Sequence, residues 1–292
     1  MNILTFDIEE WYLEKIKGGT VEGKYRTFNA ILSQILDMLD AKKEKATFFC
    51  VGKMGSDFPY VVRTIHERGH EIGCHSNVHT WLNKMTEKDC LNDTREAVDT
   101  LEQCIGEKVK SYRAPAFSVG KNNPWVFDIL ASCGLERDSS IYPATRDFGG
   151  FPDFESNAPT MVTHHGVTIK EFPIAMTTLF GRKMAFSGGG YFRLFPLWYI
   201  CKEMKRSGYG MCYLHIADLM SKQTHFMSKK EYEDYFKEAG TYSARLKRYI
   251  KANLGKNNAW PKLQKLIDAL DFVSLEEADT NCSWHEAPHI YL

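Results

Sequence analysis

Residues 69–79 read Gly69-His70-Glu71-Ile72-Gly73-Cys74-His75-Ser76-Asn77-Val78-His79. Glu71 to Cys74 has the look of a short buried strand, and the polar cluster begins where the apolar run stops. No proline or further glycine interrupts His75 to His79, so the spacing suits one helical turn that presents both imidazoles to a single metal ion. His66 and His70 share that spacing but straddle Gly69, where a helix ends, so their rings diverge.

The same grammar repeats on both sides. Asn2 to Asp7 and Lys45 to Val51 are apolar runs of strand type, and Phe28, Ile31, Leu32, Ile35, Leu36 and Leu39 fall on one face of a helix between them. A helix from about Pro59 stops at Gly69, and Thr86 with Asp89 opens another that runs to Gly106. Val109 to Arg113 reads as a strand. Asn123 and Pro124 start a helix that Gly134 ends. Val167 to Phe172, a helix from Pro196 to about Arg206, and Met211 to His215 follow, with Phe272 to Leu275 as the last strand. Alternating strands and helices predict an α/β fold with a mainly parallel sheet, and six or seven such units suggest a barrel or near-barrel. In that architecture chemistry sits at the carboxyl ends of the strands. No linker, charge block or repeat divides the 292 residues, which read as a single domain with a mostly helical extension from about residue 221.

Lys plus Arg number 37 and Asp plus Glu number 37, so no global basic field favours a nucleic-acid partner. The longest apolar run, Leu194 to Cys201, is too short to span a bilayer. Met1 to Asp7 carries no basic stretch and no cleavage site of small residues, and the eight cysteines include no Cys-x-x-Cys pair. These features predict a reduced, cytoplasmic protein, peripheral at most to the inner face of a membrane.

Two histidines need a carboxylate to make a metal site, and the first strand offers three. Side chains alternate along a strand, so Asp7 and Glu9 share a side while Glu10 points away. Glu9 is therefore the expected third ligand beside His75 and His79, with Asp7 as general base and Glu10 as possible support. Arg113, at the end of another strand, can pair with Asp7 and keep it ionised. His215 closes a strand as well, with Asp138 or Asp218 to orient it. His285-Glu286-Ala287-Pro288-His289 matches the zinc-peptidase pattern in letters, but Pro288 would break the helix that motif requires. Ser187-Gly188-Gly189-Gly190-Tyr191 lacks the Lys-Ser/Thr of a phosphate loop and reads as a turn beside a cleft, with no helix opening at once. The aromatic run Tyr191 to Tyr199 suits either packing on the barrel or a rim that stacks on sugars or lipid.

Taken in order, these segments resemble the polysaccharide deacetylases of the NodB-homology type, carbohydrate esterase family 4. Thr5-Phe6-Asp7, Thr47-Phe48-Phe49-Cys50-Val51-Gly52, the 69–79 stretch and Arg113-Ala114-Pro115 are similar to its successive motifs. Asp138-Ser139-Ser140-Ile141-Tyr142-Pro143, the triple glycine with Tyr191-Phe192-Arg193, and Leu214-His215 resemble later motifs of its envelope-polysaccharide branch. The resemblance spans about residues 1 to 220. It implies a deformed (β/α) barrel of about seven strands and metal-dependent removal of an N-acetyl group from an amino sugar. Asp7 would be the base, aligned by Arg113, and His215 the acid. Tyr142, Gly189, Tyr191 and Phe192 would form a substrate rim. Where most members read Asp-Asp, this chain has Asp7-Ile8, and Ile8 cannot ligate; Asp7-Ile8-Glu9 resembles a rarer Asp-x-Asp variant with Glu in the second place. Zinc is the simplest metal for these ligands, and iron, cobalt or nickel also suit them. The expected substrate is an N-acetylated glycan precursor, lipid- or nucleotide-linked. A cyclic-amide hydrolase of the allantoinase kind and a non-catalytic glycan-binding protein are the alternatives.

Overall fold

The computed structural model describes residues 1–16, 22–146, 149–220, 225–236 and 238–292. Its strands are β1 (Asn2–Ile8), β2 (Thr47–Cys50), β3 (Glu71–Cys74), β4 (Ser111–Tyr112), β5 (Arg137–Asp138), β6 (Thr160–His164), β7 (Val167–Glu171), β8 (Met176–Leu179), β9 (Arg182–Ala185), β10 (Gly210–His215) and β11 (His289–Tyr291). The helices between the first five strands are α1 (Glu10–Ile16), α2 (Glu22–Lys42), α3 (Gly52–Asp57), α4 (Pro59–Glu67), α5 (Glu87–Ile105) and α6 (Val126–Ser132). Further on come α7 (Gly189–Leu194), α8 (Leu197–Ser207), α9 (Ile216–Leu219), α10 (Lys229–Phe236), α11 (Tyr242–Asn253), α12 (Ala259–Ala269) and α13 (Leu275–Asn281).

One sheet runs β10-β1-β2-β3-β4-β5-β7-β6-β11. The seven strands from β10 to β7 are mutually parallel, and the sheet is extended by β6, antiparallel to β7, and by β11 beside it. Among the described residues β7 and β10 are not paired. The gap is spanned by a bond from Tyr209 Oη to the Pro173 carbonyl (2.6 Å) and a single bridge between Gly188 and Tyr213, so the barrel is incomplete. Helices cover the sheet, and Ile3, Leu4, Phe6 and Ile8 are all fully buried, as a parallel strand packed on both faces requires. Phe6 stacks on Phe48 with centroids 5.0 Å apart, each ring contributing roughly 1.5–3 kcal/mol through burial.

Register aligns the strand ends. Asp7 lies opposite His215 and Phe49, Cys50 opposite Cys74, and Cys74 opposite Tyr112. Asp7, His75, Arg113 and His215 therefore meet on one rim. The other rim is covered by the C-terminal segment: the Leu275 and Glu276 amides at the start of α13 donate to Thr47 Oγ1 (2.7 Å) and Glu71 Oε2 (2.9 Å).

Several local expectations are corrected. Phe272 to Leu275 is not a strand: Val273 makes one bridge to Ile3, and Ser274 caps α13. The final strand is β11, which begins at His289, the last residue of the segment whose letters mimic a peptidase motif. Asn123 does not cap α6; its carboxamide accepts from the Gly120 amide, and Trp125 stands at the helix start. The triple glycine does open a helix, α7, directly. A side chain at Gly188 would overlap the Tyr213 ring, which explains the residue there.

Candidate active site

Asp7 ends an apolar strand in a nearly closed environment, with 3% of its side chain exposed. Burial alone would raise its pKa. The Arg113 guanidinium, with His75 and His215 nearby, overrides that penalty and holds the carboxyl below its usual range. Arg113 Nη1 donates to Asp7 Oδ1 and to Thr5 Oγ1, both at 2.8 Å. Its remaining donors reach the carbonyl and hydroxyl of Ser139 (3.2 and 2.9 Å), and its plane lies 4.2 Å from the Phe49 ring centre. A fully buried arginine is thus satisfied on every side, so the ion pair is rigid as well as dry.

The chain turns after Ile8 so that Glu9 faces the histidines. Glu9 Oε2 lies 2.5 Å from His79 Nε2 and 3.7 Å from His75 Nε2. Burial would raise the Glu9 pKa, yet His79 and His75 keep it well below the usual value. Burial likewise disfavours the charged form of His79, and Glu9 more than compensates, raising it. Glu10 begins α1 and points elsewhere: its Oε1 accepts from the Ala217 amide at 2.7 Å, and burial together with the Glu9 charge pushes its carboxyl up to about 7.

Residues 75–79 are not a helical turn. Ser76 and His79 both have positive φ (61° and 56°), and remote partners hold the loop. The first amides of α3, from Gly52 and Lys53, donate to the Ser76 and Asn77 carbonyls at 2.9 Å. Asp93 on α5 accepts from the Asn77 and Val78 amides (2.8 and 3.3 Å). Gly52 has no room for a side chain, because a Cβ would come within 2.6 Å of Ala97 Cα and 2.7 Å of Asn77 Oδ1. The result is two imidazoles with centroids 5.1 Å apart. His75 Nδ1 is 2.6 Å from the Arg113 carbonyl, which can only accept, so Nδ1 donates there and Nε2 is the ring nitrogen turned to the site. Glu9, His75 and His79 bring one donor atom each within 4.8 Å of one another, a His/His/carboxylate set that fits a divalent transition metal.

His215 closes the other side, with Nε2 3.7 Å from Asp7 Oδ2 and 3.9 Å from Glu9 Oε1. Its Nδ1 donates to Asp218 Oδ2 at 3.0 Å, and Asp218 Oδ1 accepts from Arg193 Nη1 at 2.6 Å. Desolvation would lower the His215 pKa, but the Asp218 bond and the Glu9 and Asp7 charges raise it well above its usual value. Of the two carboxylates expected beside His215, Asp218 makes the bond. Asp138 accepts from Ser140 Oγ at 2.5 Å and pairs with Glu171 on β7.

A cavity of about 660 Å³ opens over Asp7, Glu9, His75, His79 and His215. Tyr142, Gly189 and Tyr191 line it. Phe192 does not: it is fully buried under Lys262, because neighbouring residues of α7 point about 100° apart. Sequence reasoning missed the opposite wall, where α10 and α11 contribute Tyr232, Arg245, Arg248 and Tyr249. It also gives no role to Arg193, Thr5, Ser139 and Asp93, although Arg193, Thr5 and Ser139 lie inside the quoted motifs.

Residues 3–137 match the model of a family described as polysaccharide deacetylase, and residues 139–279 match a domain of unknown function, DUF3473. A bifunctional xylanase/deacetylase of Pseudobutyrivibrio xylanivorans is 34% identical over 147 residues, 44% of this chain and 24% of that protein. A peptidoglycan-N-acetylglucosamine deacetylase of Bacillus cereus is 34% identical over 89 residues, 30% of this chain and 32% of that one. The chain thus spans a quarter to a third of the length of these curated relatives. A solved Mycobacterium smegmatis structure assigned to the polysaccharide deacetylases superposes with a TM-score of 0.61 at 17% identity, covering 99% of this chain and 92% of that one. At that identity the likeness is one of fold, and it makes the incomplete barrel a shared architecture.

Proposed function

We propose, from the match of residues 3–137 to the polysaccharide deacetylase family, that this protein hydrolyses the N-acetyl group of an amino sugar in a cell-envelope glycan or its precursor. The observation that carries the reading is the convergence of Asp7–Arg113, Glu9/His75/His79 and His215–Asp218 on one cavity.

Hydrolysis joins a water oxygen to the acetyl carbon, breaks the C–N bond, and leaves acetate and a free amine. Asp7, kept ionised by Arg113, accepts the proton of the attacking water. His215, kept protonated by Asp218, donates to the departing nitrogen. Glu9, His75 and His79 would hold a divalent metal, zinc being the first choice and iron, cobalt or nickel alternatives, and when bound it would supply Lewis acidity toward water and the acetyl carbonyl. Tyr191, 36% exposed at the cavity, offers a face on which a pyranose can stack. The cavity is larger than a small heterocycle needs, which favours a glycan over a cyclic amide.

The test is metal analysis of purified protein combined with acetate release from a panel of N-acetylated oligosaccharides and lipid- and nucleotide-linked sugars. Metal-dependent acetate release from a panel member is the expected result. Opening of a cyclic amide without acetate release from any sugar would replace the reading.

A further inference from the structure

A second group of metal-ligand side chains lies away from the cavity, where α6 meets the turn between β6 and β7. His164 Nδ1 is 2.8 Å and His165 Nδ1 3.1 Å from the same oxygen, Asp128 Oδ2. Consecutive strand residues point to opposite faces, so two neighbouring histidines do not ordinarily converge. Here His165 takes φ 45°, Gly166 completes the turn at φ 83°, and the rings lie 3.9 Å apart on one side. None of the three lines the catalytic cavity.

We propose that Asp128, His164 and His165 form a second divalent-metal site, of the N,N,O type taken by zinc and its first-row neighbours. Zinc bonds to nitrogen and oxygen of about 2.0–2.1 Å imply donor separations of about 3.3 Å around a tetrahedron, so each histidine nitrogen needs to part from the Asp128 oxygen by only a few tenths of an ångström, and all three donor atoms already lie within 4.8 Å of one another. Two hydrogen bonds into one carboxylate oxygen would account for those distances alone. They leave Asp128 Oδ1 buried without a partner, and coordination through both oxygens would satisfy it. His165 is 77% exposed on the side chain, so the site is open to ions from solution and can take water as a further ligand. A metal there would clasp the hairpin to α6 without touching the chemistry of the first site.

The test is a count of bound zinc in tag-free full-length protein, stripped with chelator, reloaded with Zn²⁺, desalted and measured by elemental analysis. The expected result is two equivalents per chain in the wild type and one in His165→Gln, whose exposed position spares the fold, and in Asp128→Asn. Glu9→Gln should also hold one, and the Glu9→Gln/His165→Gln double variant none. Unchanged zinc content in both His165→Gln and Asp128→Asn would overturn the second site. Zinc lost from Glu9→Gln but not from His165→Gln would leave the first site standing alone. The reverse pattern would uphold the hairpin site and refute the first.

Discussion

The main-chain carbonyl of Arg113 sits 2.6 Å from Nδ1 of His75. The guanidinium of the same residue meets Asp7 at 2.8 Å. One residue past the end of β4 therefore sets the tautomer of a candidate ligand and the charge of a candidate base. Arg113→Met should leave Asp7 as a buried unpaired charge and cost about 3–5 kcal/mol in urea unfolding. Arg113→Lys should recover only part of this, because one ammonium cannot serve Asp7, Thr5 and Ser139 together. A loss below about 1 kcal/mol in the methionine variant would mean that Asp7 is not ionised in the fold.

Glu9 and Glu10 are neighbours with separate tasks. Glu9→Gln should weaken metal binding strongly, since a neutral amide oxygen is a poor substitute for a carboxylate. Glu10→Gln should bind metal like the wild type, because its carboxyl bonds the start of α9 at the Ala217 amide. Metal titration of both variants decides it, and the opposite ranking would exchange the two assignments.

His215→Ala should lower turnover roughly 10²–10⁴-fold with metal content intact, as expected for loss of proton transfer alone. Asp218→Asn should lower the pKa that governs the acid in the pH–rate profile, since Asp218 is foremost in raising it. Loss of metal from His215→Ala would make His215 a ligand instead.

Asp138 and Glu171 face each other across β5 and β7, both fully buried. Burial pushes Asp138 up to about 6; burial and the Asp138 charge raise Glu171 well above its usual value. The fold thus binds protons that the unfolded chain releases above its ordinary carboxyl values of 3.8 and 4.5. This contribution to stability is complete below about pH 4 and is lost as pH rises through about 6 and beyond. Glu171→Gln keeps the hydrogen bonds but cannot ionise. Its stability relative to wild type should rise by about 1 kcal/mol or more between pH 5 and pH 8 in chemical denaturation. A constant difference would show that the pair does not share a proton.

The parallel barrel is legible because β1, β2, β3 and β10 are short, mainly apolar runs with Asp7, Val51, His75 and His215 at or next to their carboxyl ends. Two-residue strands such as β5 carry too little pattern to read, and β11 has exposed His289 and Tyr291 flanking Ile290. The spacing of His75 and His79 suggests a helix, but Asp93 and the amides of α3, distant in sequence, decide the conformation there. The motif does not distinguish Phe192, which is buried, from Tyr191 beside it, which lines the cavity; only the phase of α7 does. The wall formed by α10 and α11 was invisible for a similar reason: α11 has no buried residue, and a helix lining a cleft has the composition of a solvated one.

The most direct test compares acetate release by metal-loaded wild type and Asp7→Asn on the best N-acetylated substrate of the panel, with metal content measured on the same samples. The amide fills the volume of the carboxylate but cannot accept the proton of water. The expected result is metal-dependent acetate release by the wild type and none by Asp7→Asn, with equal metal in both. Undiminished release by Asp7→Asn would contradict the assignment of Asp7 as base, and with it the mechanism built on this site.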